Sequence, residues 1–324
     1  MTPGRVSILP VSNSESFMDE NWTLTRKKAF LEKRAVMMQA IRQFFTLHNY
    51  LEVETPYRIP APAPEAHIDA VPSGDWFLHT SPELCMKRLS AAGYPRIFQI
   101  CKCFRGEERG ARHLPEFTML EWYHTGIDYQ GLMEECEELL SHVFNELGYE
   151  NNFSYQGRRV VLTPPWERLT VEEAFLRYAP MTMAKALEGD CFDEIMAFHI
   201  EPCLGVDRPT FIYDYPLCLG ALARAKKDGS PFAERFELYM AGMELANAFS
   251  ELTDAEEQRR RFQEAQRERA EMRKVVYPDA ERFLRSLPFL SECAGIALGL
   301  DRLAMLVTDR KCIDDVVSFT PEEL

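Results

Sequence analysis

Residues 104–123, FRGEERGARHLPEFTMLEWY, decide how the rest of the chain is read. They set Arg105, Arg109 and Arg112 among ordered carboxylates, and their flanks make them a hairpin. Ahead of the loop, residues 97–104 are almost unbroken apolar, the pattern of a strand covered on both faces. Behind it, Phe117, Glu121 and Tyr123 alternate with Thr118, Leu120 and Trp122. The two-residue period of a strand therefore puts an aromatic ring, a carboxylate and a phenol on one face, which is too polar to be core. Gly106, Gly110 and Pro115 are turn residues, and Arg112 and His113 lie among them in a cluster suited to a polyphosphate.

A second dense set of carboxylates lies in RFELYMAGMELANAFSELTD, residues 235–254. Asn247, Phe249 and Glu251 share a strand face, while the odd step from Glu237 to Glu244 across Gly242 implies a turn or a second strand. Carboxylates on buried strands are costly unless they meet a cation, and Mg²⁺ and an ammonium are the candidates.

With 324 residues and 46% apolar composition, the chain can build a substantial core. No run approaches the roughly 18 apolar residues of a membrane span, and the N-terminus lacks the basic and apolar regions of a signal peptide, so the expected place is the cytoplasm. Nine cysteines without an export signal read as reduced. Cys101 and Cys103 lack a second close Cys or His pair, so zinc is set aside and they are taken as small strand residues. A net charge of −14 counts against a grip on long nucleic acid. The arginine-rich run at residues 259–274 is interleaved with glutamates and reads first as a solvated helix face.

In chain order, residues 1–22 carry Pro3, Gly4, Pro10 and serines without periodicity, and read as a flexible tail. Met37, Ile41, Phe44 and His48 recur at helical spacing over residues 25–48. Four prolines between 60 and 72 make a loop near the site, followed by a short strand at residues 76–79. Ser81-Pro82-Glu83 opens a helix, where Glu83 would also be favoured simply by the helix dipole. Leu132 to Leu147 trace a packing helix closed by Gly148. Thr170 with Glu173, and Thr253 with Glu256, read as capping boxes. Residues 192–199 are a further helix and 211–215 a strand, while His142 and His199 read as core or surface residues. Residues 125–230 then form a mostly helical insertion.

The hairpin resembles motif 2 of the class II aminoacyl-tRNA synthetases, most closely the lysine branch. GIALGLDRLAML, residues 295–306, resembles motif 3, and FFTLHNYLEVETP, residues 44–56, motif 1 with its terminal proline. The resemblance implies an α/β (α+β type) class II catalytic domain over residues 23–324, a mostly antiparallel sheet flanked by helices, and a homodimer through motif 1. It also implies an ATP site in which Arg105 grips the α-phosphate and substrate carboxylate and Glu107 reads the adenine amino group. Phe117 would lie under the ring with Arg302 above it, Arg112 and His113 would approach the outer phosphates, and Leu245 and Gly299 would line the site. Glu237 and Glu244 would hold Mg²⁺. Ser81, Glu83, Glu121, Tyr123, Asn247, Phe249, Glu251 and Ala297 match the amino-acid pocket of the lysyl enzymes.

Two of these positions depart from lysyl-tRNA synthetases, which usually have Ala-Pro-Glu at Ser81-Pro82-Glu83 and glycine at Ala297. Both departures resemble the truncated lysyl-synthetase paralogues that modify elongation factor P. Too few residues precede motif 1 for an anticodon-binding domain. The implied reaction is ATP-dependent activation of (R)-β-lysine or lysine and transfer to a lysine ε-amine of elongation factor P. The alternatives are a minimal enzyme charging tRNA, which the acidic balance disfavours, and a non-catalytic binding subunit, against which the retained Arg105, Glu237, Glu244 and Arg302 count. Leu114 and Gly106 stand where the family usually has Asn, and Ala248 replaces the Gly of Asn-Gly-Phe.

Overall fold

The computed structural model describes residues 13–324, and of residues 13–21 and 23 only the backbone. Neither Gly nor Pro interrupts residues 11–47, so helix α1 (Asn13–Leu47) runs unbroken to a turn at Asn49, where φ is 60°. The tail expected over residues 1–22 is thereby shortened. Residues 1–12 lie outside the described residues, and from Asn13 the backbone is helical.

After α1 come β1 (Leu51–Glu52) and the proline-rich run, in which β2 (Arg58–Ile59), β3 (Pro72–Ser73) and β4 (Trp76–Leu78) form a small sheet. Helix α2 (Glu83–Ala91) starts directly after Pro82, with Ser81 Oγ accepting the Glu83 N–H at 3.0 Å. β5 (Arg96–Phe104) and β6 (Glu116–Thr125) pair antiparallel as the expected hairpin. Helix α3 (Tyr129–Glu146) follows, capped by Asp128. Next come the ribbon of β7 (Asn152–Tyr155) and β8 (Arg158–Val161), β9 (Glu167–Thr170), and helices α4 (Val171–Tyr178), α5 (Met183–Glu188) and α6 (Phe192–Ile195). The chain then enters β10 (Thr210–Pro216), β11 (Phe232–Met240) and β12 (Met243–Ser250). Helices α7 (Ala255–Glu271) and α8 (Glu281–Leu284), strand β13 (Cys293–Gly299) and helix α9 (Leu300–Val307) complete it.

Eight strands form the central sheet in the order β1-β5-β6-β13-β12-β11-β10-β9. The outer pairings β1·β5 and β9·β10 are parallel and those between them antiparallel, as the class II reading implies. The period of two sorts the residues. Leu120, Trp122, Ile296 and Leu298 turn to one face and pack with Phe45 of α1, Leu139 of α3 and Leu303 of α9. Burying each such side chain is worth about 1.5–3 kcal/mol, so the helices are held to this face. The opposite face carries Phe117, Glu121 and Tyr123 and is left for a site.

Three expectations are corrected. Residues 125–230 are not simply a helical insertion, because β9 and β10 extend the central sheet through pairing with β11. The α7 cap is Asp254, which accepts the N–H groups of Glu256 and Glu257 at 2.9 and 3.1 Å. Its carboxylate supersedes the Thr253 hydroxyl read from the capping-box spacing. The arginine-rich helix is only partly solvated. Arg269 is wholly buried, donating to the carbonyls of Glu65, Ile68 and Val275 and to the Asp69 carboxylate, which fastens the proline-rich loop to α7. The Thr170–Glu173 capping box forms as expected.

Candidate active site

The free face of the sheet floors a cavity of about 410 Å³. Register explains its lining: Glu121 lies opposite Gln99 on one side and Ala297 on the other, Ala297 opposite Asn247, and Asn247 opposite Glu237. One row across five strands therefore reaches from the expected amino-acid pocket to the expected metal carboxylates.

At one end Glu121 is buried, accepting Tyr123 Oη at 2.6 Å and Ser81 Oγ at 2.8 Å. Burial, with the nearby Glu83 charge, holds its carboxyl well above the usual range. Glu251 lies behind Tyr123 and Gly295, and burial pushes it up to about 8 even against the pull of Lys87. Gly295 is required by close approach, since a Cβ there would lie 2.6 Å from Glu251 Oε1.

Lys87 is one residue that sequence reasoning missed. Its ammonium is 1% exposed and sits between Glu83 Oε1, at 2.5 Å, and Glu251 Oε2. Burial works against its charge, but Glu251 and Glu83 outweigh it and raise its pKa. The Glu83–Lys87 spacing of four is a visible helix ion pair. The third partner, Glu251, comes from the other end of the chain. Glu251 Oε1 meets no hydrogen-bond donor in the protein. Lys87 answers Glu83 and Glu251, while Glu121 meets only hydroxyls, so these three carboxylates outnumber the one ammonium by two when all are ionised.

At the other end Arg105 lies 5.0 Å over the Phe117 ring, and its buried Nε meets no acceptor. An unpaired buried donor is costly, so this guanidinium is prepared for an anion. Arg302 donates to the Glu244 carbonyl and carboxylate at 2.8 and 3.0 Å and to His113 Nε2 at 2.6 Å. Burial and the Arg302 charge lower the His113 pKa, consistent with its ring nitrogen accepting. Glu237 accepts from Tyr215 at 2.6 Å, Tyr239 at 2.9 Å and Arg235 at 2.6 Å. Burial raises its carboxyl and Arg235 opposes the rise.

Of the expected site residues, Ser81, Glu83, Arg105, Arg112, His113, Phe117, Glu121, Tyr123, Glu237, Glu244, Leu245, Asn247, Phe249, Ala297, Gly299 and Arg302 all line the cavity. Glu251 stands just behind the lining, against Lys87. Glu107 does not join them: it is exposed with φ 61°, and Glu108 faces the cavity instead. Arg105 is the cation that covers the Phe117 ring in this structure, while Arg302 pairs with Glu244 and His113. Arg112 donates to the Gly242 carbonyl at 3.0 Å, bridging the motif loop to the β11–β12 turn. Leu114 lines the cavity and also belongs to the main core, making an apolar contact where the family usually has an amide. Arg235, Asp301 and Glu65 of the proline-rich loop also line it. Asp301 ties α9 to the hairpin by accepting the Thr118 N–H at 2.7 Å and pairing with Arg34 at 2.6 Å.

Glu237 and Glu244 present hard oxygen donors on neighbouring strands of the cavity. That donor set fits Mg²⁺, which takes one or two carboxylates and completes its shell with water and phosphate.

The model of the class II tRNA synthetases for D, K and N matches residues 15–323. An elongation factor P–(R)-β-lysine ligase of Pectobacterium carotovorum is 40% identical over 93% of this chain and 98% of its own length. Proteins of the same name from Pseudoalteromonas translucida and Proteus mirabilis are 37% and 38% identical, each over 92% of this chain and 97% of their own. With motifs 2 and 3 meeting round one cavity, the chain belongs to the class II tRNA synthetase family, in the group of the elongation factor P–(R)-β-lysine ligases.

Proposed function

We propose that this protein uses ATP to activate (R)-β-lysine, or lysine, and transfers the aminoacyl group to a lysine ε-amine of elongation factor P. The observation that carries this reading is the charge of the pocket. Glu83, Glu121 and Glu251 against the single Lys87 ammonium leave two negative charges, the complement of a substrate with two ammonium groups. A monoamino acid would leave one carboxylate unpaired. Burial raises Glu121 and Glu251, so they can hold protons in the free enzyme and lose them to solvent when a diammonium arrives.

The substrate carboxylate then points toward Arg105, beneath which Phe117 offers a ring for adenine. Its oxygen attacks the α-phosphorus, the bond to the bridging oxygen breaks, and pyrophosphate leaves. No proton transfer is needed, so positioning and charge stabilisation dominate. Arg105 takes up charge developing on the α-phosphate, while Arg112, His113 and Arg302 surround the outer phosphates. Mg²⁺ held by Glu237 and Glu244 would neutralise the leaving pyrophosphate. In the second step the acceptor amine attacks the acyl carbon, an amide forms, AMP departs, and the amine proton passes to solvent.

A homodimer through α1 and β1 accords with the exposed Val36, Leu47 and Leu51 there. Among the described residues no helix is long and apolar enough to cross a membrane; a translation factor as acceptor supports the cytoplasm as the place of action. The test is exchange of pyrophosphate into ATP with each lysine isomer, followed by incubation with elongation factor P or bulk tRNA. Isomer-dependent exchange and a heavier protein acceptor are expected. Acylated tRNA beside unmodified protein would overturn the acceptor, and absence of exchange with every isomer would overturn the enzyme reading.

A further inference from the structure

The sequence reading set Cys101 and Cys103 aside for want of a nearby partner, and the fold supplies one. Both thiols lie on the same face of β5, with Sγ atoms 4.0 Å apart. His79, just after β4, stands against them, and one ligand atom from each of the three lies within 4.8 Å of the others. His79 Nε2 is 2.7 Å from the Lys102 carbonyl, which can only accept. The ring must therefore carry its proton on Nε2, leaving Nδ1 with a free lone pair. A backbone carbonyl holding the outer nitrogen is the usual support of a metal-binding imidazole. Met119 Sδ lies 3.9 Å from Cys103 Sγ. His79, Cys101, Cys103 and Met119 are each at most 5% exposed.

We propose that His79, Cys101 and Cys103, with the Met119 thioether beside them, form a buried site for a soft d¹⁰ cation, with Zn²⁺ the charge-matched occupant. Two sulfurs about 2.3 Å from a tetrahedral zinc stand about 3.8 Å apart, close to the separation already present. Binding replaces two thiol protons, which leave to solvent, with two metal–sulfur bonds. Zn²⁺, two thiolates and a neutral imidazole sum to zero, as a buried apolar site demands. Cu⁺ would suit the thioether but leave one negative charge. The site also has a place in the active-site frame. His79 lies two residues before Ser81 and Cys103 two before Arg105, so a metal would bolt the segment entering the amino-acid pocket to the strand carrying the phosphate arginine. One backbone bond, Phe104 N–H to the His79 carbonyl at 3.0 Å, already joins them.

Because the ligands are buried, metal enters as the chain folds. The full chain is purified without chelator, and separately refolded with Zn²⁺ alone, Cu⁺ alone or Co²⁺ alone, then dialysed and its metal measured by mass spectrometry. About one zinc per chain is expected for wild type and for the exposed-thiol control Cys203→Ser/Cys218→Ser, and near-background zinc for Cys101→Ser and Cys103→Ser. The cobalt form of wild type should show thiolate-to-cobalt charge-transfer absorption, a readout that stands even if a serine variant folds poorly. Copper retained in place of zinc would support the ligand set and overturn the charge argument. Wild type without bound metal or a thiolate–cobalt band, or a Cys103→Ser protein retaining the wild-type content, would overturn the site.

Discussion

Replacing Lys87 with methionine keeps most of the unbranched side chain and removes its ammonium. Its ammonium is buried between Glu83 and Glu251, so the substitution leaves carboxylates facing each other without their counter-ion. Breaking a buried pair costs about 3–5 kcal/mol, but Glu251 can relieve part of that by keeping a proton. The sign follows from the proton balance. In wild type Glu251 ionises in the folded state at about 8, well above its ordinary value, so folding stability falls as pH rises toward 8 and then levels. Without Lys87 the folded pKa moves higher still, and stability continues to fall above 8. The gap between wild type and Lys87→Met should therefore widen by up to about 1.4 kcal/mol per pH unit from pH 8 upward. Urea unfolding of both proteins between pH 6.5 and about 9.5 measures it directly. A variant within about 0.5 kcal/mol of wild type throughout, with a parallel pH profile, would remove Lys87 from its place as the buried counter-ion.

Arg105→Ala should slow adenylate formation by roughly 10²–10³-fold, the usual effect of losing one donor to developing charge, and a change under about threefold in pyrophosphate exchange would count against its role. Ala297→Gly removes one methyl from the amino-acid pocket and should shift preference toward α-lysine by roughly 10–200-fold at most; competition between isomers reads the ratio, and a wild type already favouring α-lysine would contradict the reasoning. Arg269→Ala leaves the carbonyls of Glu65 and Ile68 without their donor, and should cost about 3 kcal/mol and expose the proline-rich loop to limited proteolysis; unchanged cleavage there would show that the loop holds itself.

Features set by neighbours along the chain were legible without coordinates. The strand–loop–strand at residues 97–123, the turn at Gly242, the Thr170–Glu173 cap and the helix entered through Ser81-Pro82-Glu83 follow from two- and three-residue spacings that the backbone converts directly into shared faces and caps. Alternation alone puts Phe117, Glu121 and Tyr123 on one face, while most of the other candidate site residues came from the resemblance to the class II motifs. Where local rules offered two answers, the reading slipped. Asp254 competed with Thr253 for one cap, and its carboxylate took it.

Sequence by itself determined the family motifs, the antiparallel framework and the supply of arginines and carboxylates for a nucleotide and a diamino acid. Tertiary structure alone decided which charges meet. Lys87 reaches Glu251 from α2, Arg269 reaches the carbonyls of the proline-rich loop, and His79 reaches the two thiols of β5. None of these partners has a local spacing to betray it. A charge becomes strongly coupled only when burial removes water from around it, and which residues are buried together depends on how the sheet and helices pack, not on their distance along the chain.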